Sequence, residues 1–200
     1  HLSIRRQRQM CIRDRIKQRE EVRHMKRAAE VSAKAHCRAM MTCQPGMTER
    51  QVQAELEYEF GRGGARTWAY PSIVAGGANA CILHYTENSD VLVDGDLLLI
   101  DAGAEIDCYA ADITRTFPVN GRFTAEQKAL YEVVLEAQLT AIAAVKPGRC
   151  WNDPHDAAVA VLTEGLIDLG LLSGNAEERI EDNSYRRFYC LLYTSDAADE

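Results

Sequence analysis

Apolar residues between positions 18 and 43 recur every three or four residues, which predicts a long amphipathic helix. The run Gln44-Pro45-Gly46 should end it, because proline cannot continue a helix and glycine favours the turn that follows. Thr48, with Gln51 three residues later, has the spacing of a capping box and predicts the start of a second helix. This helix should end at the glycines of residues 61–64 and bury three residues spaced one turn apart, Val52, Leu56 and Phe60.

The pattern then changes to short apolar runs that Gly, Asn and Asp interrupt, which is typical of strands joined by turns. Three segments predict such strands: "SIVAGGANACILHY", "DVLVDGDLLLIDAG" and "CYAADITRTFPV". The last should close at Pro118, Asn120 and Gly121.

Helical spacing returns after the strands. Thr124 and Gln127 form a second capping box before a helix that should stop at Lys146-Pro147-Gly148, and Asp153 followed by Pro154 should open a fourth helix. The Pro-Gly pairs at 45–46 and 147–148 lie 102 residues apart, each between two helices. This recurrence indicates either a duplicated unit or two independent helix joints. Segregated helices and strands predict an α+β fold.

Length and charge bound the class of protein. With 200 residues and 46% hydrophobic residues, the chain can bury one sizeable core. The net charge of −7 hides a basic start, because residues 1–27 carry ten Lys or Arg against three Asp or Glu. That arm could be a nucleic-acid or membrane patch or simply a solvated helix. Because it lacks interleaved aromatic residues and an apolar face, we expect neither a nucleic-acid nor a membrane partner.

Seven cysteines are scattered at wide spacings without a C-x-x-C pair, which is typical of free thiols in a reducing compartment. The sequence contains no signal-peptide pattern and no apolar run of about 18 residues. We therefore expect a cytoplasmic protein.

Two aspartates flank the predicted hairpin. An aliphatic run leads to Asp101, and Asp112 follows eleven residues later. A turn at Ile106-Asp107 would place the two aspartates directly opposite each other on one face of the sheet, with their Cβ atoms about 5 Å apart. They would repel unless cations lay between them, which suggests a dinuclear metal site. Two alternatives are a proton-sharing dyad of the acid-protease type, and a structural arrangement in which Asp101 flanks the turn and Asp112 pairs with Arg115.

His84 ends another apolar run, where it could be a core or turn residue. Alternatively, its ring could hydrogen-bond a substrate carbonyl if its strand borders the aspartate hairpin. Trp68, Tyr70 and Pro71 approach the first strand and could form either a pocket wall or the edge of the core.

The segments "NACILHYTEN", "DGDLLLIDAGAEIDCYAADITRTFPVNGRFTAEQKALYE" and "DLGLLSG" closely resemble the bacterial Xaa-Pro aminopeptidases (aminopeptidase P) and, slightly less well, the prolidases. Both belong to the pita-bread metallopeptidases. The resemblance covers residues 16–189 and implies the first αβ half of the pita-bread fold plus the helices of the second half.

In this family a site for two divalent metal ions, usually manganese, lies between the halves. The resemblance implies that Asp101 is a terminal, chelating ligand and that Asp112 bridges the metals. It also places His84 on the substrate side and Tyr70 in an aromatic pocket. The implied substrates are peptides with proline at the second position, cut before the proline by a hydroxide that bridges the metals. Homo-oligomer formation by the longer enzyme stays open.

The end of the chain departs from the family. Three further ligands, a histidine and two glutamates, are expected from the second half, and the histidine should follow "RRFY", but "CLLYTSDAADE" stands there instead. Residues 190–200 therefore look non-native or divergent, residues 1–15 look non-native or disordered, and we expect the chain by itself to be inactive. Two functional alternatives stay open, namely a prolidase and a non-enzymatic pita-bread binding module.

Overall fold

The computed structural model describes residues 16–189, and the chain divides between Arg122 and Phe123 into two units. The first unit is residues 16–122 and the second is residues 123–189. The segments 1–15 and 190–200, which the sequence predicts to be non-native, lie outside the described residues. Among the described residues, no helix combines the length and the apolar content needed to cross a membrane.

Two helices open the first unit, α1 over Arg19–Thr42 and α2 over Glu49–Arg62. The predicted capping box of α2 is confirmed, since the Gln51 amide donates to Thr48 Oγ1 at 3.2 Å and the Thr48 amide donates to Gln51 Oε1 at 2.7 Å. Between the helices, Met47 N–H donates to Gln44 C=O and Gly46 has a φ of 89°. Proline followed by a glycine with positive φ makes this a type II turn.

Six short strands follow: β1 Thr67–Trp68, β2 Ile73–Gly76, β3 Leu97–Ala102, β4 Ala104–Ile106, β5 Tyr109–Ala110 and β6 Ile113–Pro118. They form two antiparallel sheets, in the order β1-β4-β5 and β2-β3-β6. Along the chain, β1 leads to β2, β3 to β4 and β5 to β6. The six strands are therefore three longer antiparallel strands, each interrupted where one sheet meets the other.

Gly103 forms the interruption of the central strand. A Cβ placed on Gly103 would lie 1.7 Å from the Ala111 carbonyl oxygen, so only glycine permits this close approach of the backbones. On the side of α1, the Ser32 hydroxyl accepts a hydrogen bond from Ala104 N–H at 2.9 Å and donates one to Ala28 C=O at 2.8 Å. Helix α1 thus fixes the backbone just past the interruption.

The core of the first unit lies between the two helices and the inner face of the strands. Strand β3 alternates strictly, with Leu98, Ile100 and Ala102 fully buried. The predicted inner face of α2 is confirmed, and its residues meet these strands in one apolar cluster with Val31, Ala35 and Ala39 of α1. Because alternate residues of a strand face opposite sides, Asp101 lies on the face of β3 that points away from the helices.

The structure shortens two of the predicted strands. After β2, the chain forms a 3₁₀ helix over Gly77–Cys81 and a turn at His84, so the segment "CILHY" is not a strand. Residues 91–96 form only an isolated bridge, between Val91 and Thr48. Backbone hydrogen bonds to Gly46 and Met47 hold Leu92, and side chains hold the residues before this segment. For example, the Asn88 carboxamide accepts from Val74 N–H and donates to Ser72 C=O.

The second unit contains α3 over Ala125–Ala144, α4 over Asp153–Asp168, the short helix α5 over Ala176–Glu181 and a 3₁₀ turn over Ser184–Arg187. The Thr124 and Gln127 capping box is confirmed. Asp153 is the first residue of α4, whose cap is Asn152, so the predicted cap is one residue late.

Helices α3 and α4 pack closely where Gly165 faces Val133, with 2.2 Å between a Cβ built on Gly165 and Val133 Cγ1. The opposite side of α3, which we call the α3 outer face, consists of Leu135, Leu139 and Ile142. Leu139 and Ile142 are 57% and 61% exposed. The predicted α+β class is confirmed, with the strands of the described residues confined to the first unit.

Candidate active site

Asp101 and Asp112 lie at the interruption of the strands, on the same face, as predicted. Their direct opposition, however, is wrong, because β3 pairs with β6 in a register that places Thr114 opposite Asp101. Asp112 precedes Thr114 by two residues and is therefore the diagonal neighbour of Asp101. Diagonal residues on one face of a sheet remain close enough for their side chains to share a partner.

The register differs because the hairpin turns one residue later than predicted. Ile106 pairs with Tyr109, and the two residues between them, Asp107 and Cys108, have φ values of 50° and 68°. A two-residue type I′ turn needs positive φ at both central positions. A turn at Ile106-Asp107 would have forced the β-branched Ile106 into that region, which is sterically unfavourable.

Tyr70 joins the two carboxylates. Its hydroxyl oxygen lies 2.5 Å from Asp101 Oδ1 and 2.9 Å from Asp112 Oδ1. The interruption between β1 and β2 carries Tyr70 to this position, and the preceding Ala69 N–H donates to Gly103 C=O. The predicted pocket residue thus contacts both predicted metal ligands. Since a hydroxyl has one hydrogen, it can donate to only one of the two carboxylates at a time.

The electrostatics of the site favour a bound cation. Burial raises the pKa of Asp101, and the charge of Asp112 raises it further, while hydrogen bonds from Tyr70 and Thr114 oppose the rise. Burial, followed by the contact with Asp101, holds the pKa of Tyr70 far above its usual range, so the hydroxyl keeps its proton. A divalent cation would relieve the repulsion between the carboxylates, whose hard oxygen atoms suit such ions.

Arg115 does not neutralise this pair. Its guanidinium donates to Thr114 C=O at 2.7 Å, and among residues 16–189 no ion pair joins it to Asp112. Within the same residues, no group of three or more His, Cys, Asp or Glu side chains could hold a metal ion. The described part of the chain therefore offers two carboxylates and no fuller ligand set.

His84 lies in a turn rather than in a strand. It is exposed, sits in the turn after the 3₁₀ helix with a φ of 54°, and has no hydrogen bond or ion pair to Tyr70, Asp101 or Asp112. The predicted strand at His84 is therefore wrong, and the role of His84 toward a substrate stays a prediction. Gly77 and His84 both have positive φ, and such residues interrupt a strand.

Sequence reasoning did not identify two residues that have clear structural roles, Thr114 and Glu49. Thr114 hydrogen-bonds Asp101, and the correct turn at Asp107-Cys108 would have identified it as the residue opposite. Glu49 is fully buried although it is the first residue of α2. Acidic residues in a first helical turn are usually solvated, so the sequence carries no signal for this burial.

The chain is similar to known proteins over most of its described length. The model of metallopeptidase family M24 matches residues 23–189. The Xaa-Pro aminopeptidase of Haemophilus influenzae is 49% identical over 174 residues, and that of Escherichia coli is 47% identical. Each alignment covers 87% of this chain but 40% of the relative, so the chain spans about two fifths of the relatives' length.

Solved structures give the same result. The chain matches aminopeptidase PepP of Pseudomonas aeruginosa with 60% identity and a TM-score of 0.85, over 86% of this chain and 39% of that one. It matches a zinc-substituted Escherichia coli aminopeptidase P in complex with product with 47% identity and a TM-score of 0.84, at the same coverage. The pita-bread fold expected from the resemblance is confirmed, and the chain belongs to metallopeptidase family M24.

Proposed function

We propose that this chain is part of a metal-dependent aminopeptidase that releases the N-terminal residue from peptides with proline at the second position. The observation that carries the proposal is the convergence of Asp101 and Asp112 on the Tyr70 hydroxyl. Family membership favours a metal between these carboxylates over a shared proton. The names of the relatives supply the substrate class.

In this proposal Asp101 and Asp112 hold two divalent metal ions, and the metal is manganese. The Escherichia coli relative has been studied with zinc in substitution, which agrees with a site of exchangeable metal in that protein. When bound, divalent metals polarise a carbonyl and lower the pKa of water, which supplies a nucleophile at neutral pH.

The other residues orient ligands and substrate. Thr114 and Tyr70 hold the Asp101 carboxylate by hydrogen bonds. His84, on the exposed turn, would donate a hydrogen bond to the substrate carbonyl oxygen and stabilise the charge that develops there. A dedicated site for proline is physically reasonable, because the prolyl nitrogen has no N–H and its φ is fixed, so ordinary peptidase clefts accommodate it poorly.

A cytoplasmic location is part of the proposal. The described cysteines Cys37, Cys43, Cys81, Cys108 and Cys150 are all free thiols, as is usual in a reducing compartment.

Calorimetric titration of manganese into the 200-residue chain tests the metal site. We expect weak binding, with a Kd of about 1 mM, because two carboxylates are far fewer ligands than divalent metals normally take. Asp101→Asn and Asp112→Asn should each abolish the binding heat. Asp107→Asn is the matched control, since it removes a surface carboxylate from the same hairpin. Binding that survives Asp112→Asn would refute the proposed ligands.

Assay of an Xaa-Pro-Xaa tripeptide tests the reaction. The chain itself should show no turnover above a blank that contains metal alone, since three of the five implied ligands are not among the described residues. Sequencing the gene on both sides of codons 15 and 190 shows whether a longer reading frame supplies the missing ligands. A longer product should hydrolyse the tripeptide and lose this activity with Asp112→Asn, and a longer product that carries the ligands but is inactive contradicts the proposal.

A further inference from the structure

The buried carboxylate of Glu49 accepts four hydrogen bonds from one neighbouring segment. Its Oε1 accepts from Gly76 N–H at 2.8 Å and from the Asn79 carboxamide at 3.0 Å. Its Oε2 accepts from the Tyr85 hydroxyl at 2.7 Å and from Asp90 N–H at 3.0 Å. These donors lie at the start, in the middle and at the end of residues 76–90, which we call the His84 loop.

Little else orders the His84 loop. Apart from the 3₁₀ helix Gly77–Cys81, it has no regular secondary structure, and its buried residues are Tyr85 and Asn88. Asn88 anchors it to the β2 strand and to Gln53 of α2. Arg50 of α2 donates to Glu87 C=O at 2.9 Å, and Asn79 also donates to Asp90 Oδ2 within the loop. The largest set of hydrogen bonds to the loop is that of Glu49, which is 0% exposed at the start of α2.

His84 directly precedes Tyr85. Its own ring is exposed, and so are the neighbouring Ile82 and Leu83, so no packing of these three residues holds the turn. A non-glycine residue with positive φ costs free energy and persists only where its surroundings impose it. The nearest imposed contact is the hydrogen bond from Tyr85 to Glu49.

We propose that Glu49 is a positioning residue, which fixes the His84 loop through Tyr85, Asn79, Gly76 and Asp90 and thereby holds the substrate-side imidazole in place. The proposal rests on the role given to His84 in the proposed function. It assigns no direct contact between Glu49 and the substrate.

The chemistry of the four donors explains why a glutamate stands here. A carboxylate accepts at both oxygens, whereas the amide of glutamine accepts at one and donates at the other. Each oxygen of Glu49 accepts from one backbone N–H, so in either orientation the NH₂ group of Glu49→Gln would face the Gly76 or the Asp90 N–H and leave that donor without its acceptor. The start of α2 also favours the negative charge.

Native-state hydrogen exchange and histidine NMR on the 200-residue chain test this proposal without metal or peptide. In Glu49→Gln, we expect the protection of the Gly76 and Asp90 amides to fall by roughly tenfold or more. The amide of Ile100, in the central strand of the same unit, should change by less than about twofold. The His84 ring signals, assigned with His84→Gln, should move toward the values of a short unstructured peptide.

Two further variants separate positioning from general stability. Glu59→Gln alters another largely buried glutamate of α2, which pairs with Arg62 rather than with the loop, and should leave the His84 signals unchanged. Tyr85→Phe keeps the aromatic ring and removes one hydrogen bond to Glu49. It should therefore produce a smaller shift of the His84 signals, and it replaces Glu49→Gln in the test if that variant does not fold.

Unchanged His84 signals in Glu49→Gln, or in Tyr85→Phe if that is the only variant that folds, overturn the proposal. So does equal loss of protection at Asp90 and Ile100, which would make Glu49 a purely structural residue. Neither readout depends on manganese uptake or peptide hydrolysis. Failure of this proposal can therefore be told apart from failure of the proposed function.

Discussion

In both units a type II turn built on Pro-Gly joins two helices. Gly46 and Gly148 have φ values of 89° and 84°, and in each turn the N–H of the residue after the glycine donates to the carbonyl three residues before that donor, at 3.2 Å. Thr48 and Thr124 begin helices with the same capping box. The two turns therefore have the same geometry, but the helices after them begin differently, because Thr48 caps α2 whereas α4 begins at Asn152 without a side-chain cap.

Their surroundings differ. In the first unit Gly46 N–H donates to Leu92 C=O, which ties the joint to the segment that leads into β3. The helices there cover strands, and Leu56 of α2 is fully buried. In the second unit α3 packs on α4, while the α3 outer face remains exposed. We therefore expect α2 to contribute more to stability than α3, because most of the stability of a helix in a protein comes from packing of its apolar face rather than from helix propensity.

The largest difference in stability between the units should come from adding a methyl group where two segments pack closely. Gly103→Ala would set a Cβ against the Ala111 carbonyl, which belongs to the backbone and cannot rotate away. We expect a loss of at least about 3 kcal/mol from the free energy of unfolding of the first unit. Hydrogen exchange at the Ile100 amide measures it.

Gly165→Ala is the matched change in the second unit. Its Cβ would meet the Val133 side chain, which can shift, and alanine is the better helix former by about 1 kcal/mol. The net cost should stay below about 2 kcal/mol at the Val159 amide. Similar losses in the two units would contradict this distinction between backbone and side-chain contacts.

A core truncation should have the next largest effect. Leu56→Ala removes a fully buried side chain and should cost about 3 kcal/mol, measured by urea denaturation of the first unit. Leu139→Ala, on the α3 outer face, should change stability by less than about 0.5 kcal/mol. A large cost at Leu139 would show that this face is covered in solution, for instance by a second copy of the chain.

The smallest effect is a pH dependence confined to the first unit. Burial lowers the pKa of His36 below its ordinary value of 6.5, and its Nδ1 contacts Ser32 C=O at 2.9 Å. Below pH 6.5 the unfolded chain therefore binds a proton that the folded chain does not, so stability falls with pH until the folded-state pKa is reached.

The difference between the wild type and His36→Gln reports this contribution, because the raised pKa of Asp101 acts in both proteins and only its charge interaction with His36 is lost in the variant. We expect the wild type to lose stability relative to the variant as the pH falls below 6.5, at the Ile100 amide but not at the Val159 amide. A difference that is constant from pH 8 to pH 5 would show that His36 does not titrate in this way.

Much of the helical structure was predictable because it is local. Capping boxes, Pro-Gly turns and a spacing of three and four residues act within a few residues, and the predicted helices begin and end within about two residues of the observed ones. Whether the 102-residue recurrence reflects a duplication stays a prediction. The exposure of the α3 outer face was beyond reach, since burial depends on partners distant in sequence.

The site was partly predictable for the same reason. Alternation in β3 and β6 was enough to place both aspartates on one face, but the register depended on which two residues of Glu105-Ile106-Asp107-Cys108 adopt positive φ. The contacts that hold the His84 loop could not be predicted, because the hydrogen bond from Tyr85 goes to Glu49, which stands 35 residues before His84 in the sequence.

The hydrogen bond between Ser32 and Ala104 has a consequence for the order of folding during synthesis. It spans 72 residues, and at 5–20 residues per second a ribosome needs about 4 to 15 s to make them. During that time α1 has left the ribosome without the strands that bury its apolar face. The first unit therefore depends on contacts of high sequence separation and should fold slowly, whereas α3 and α4 are close in sequence and can pair as soon as both have emerged.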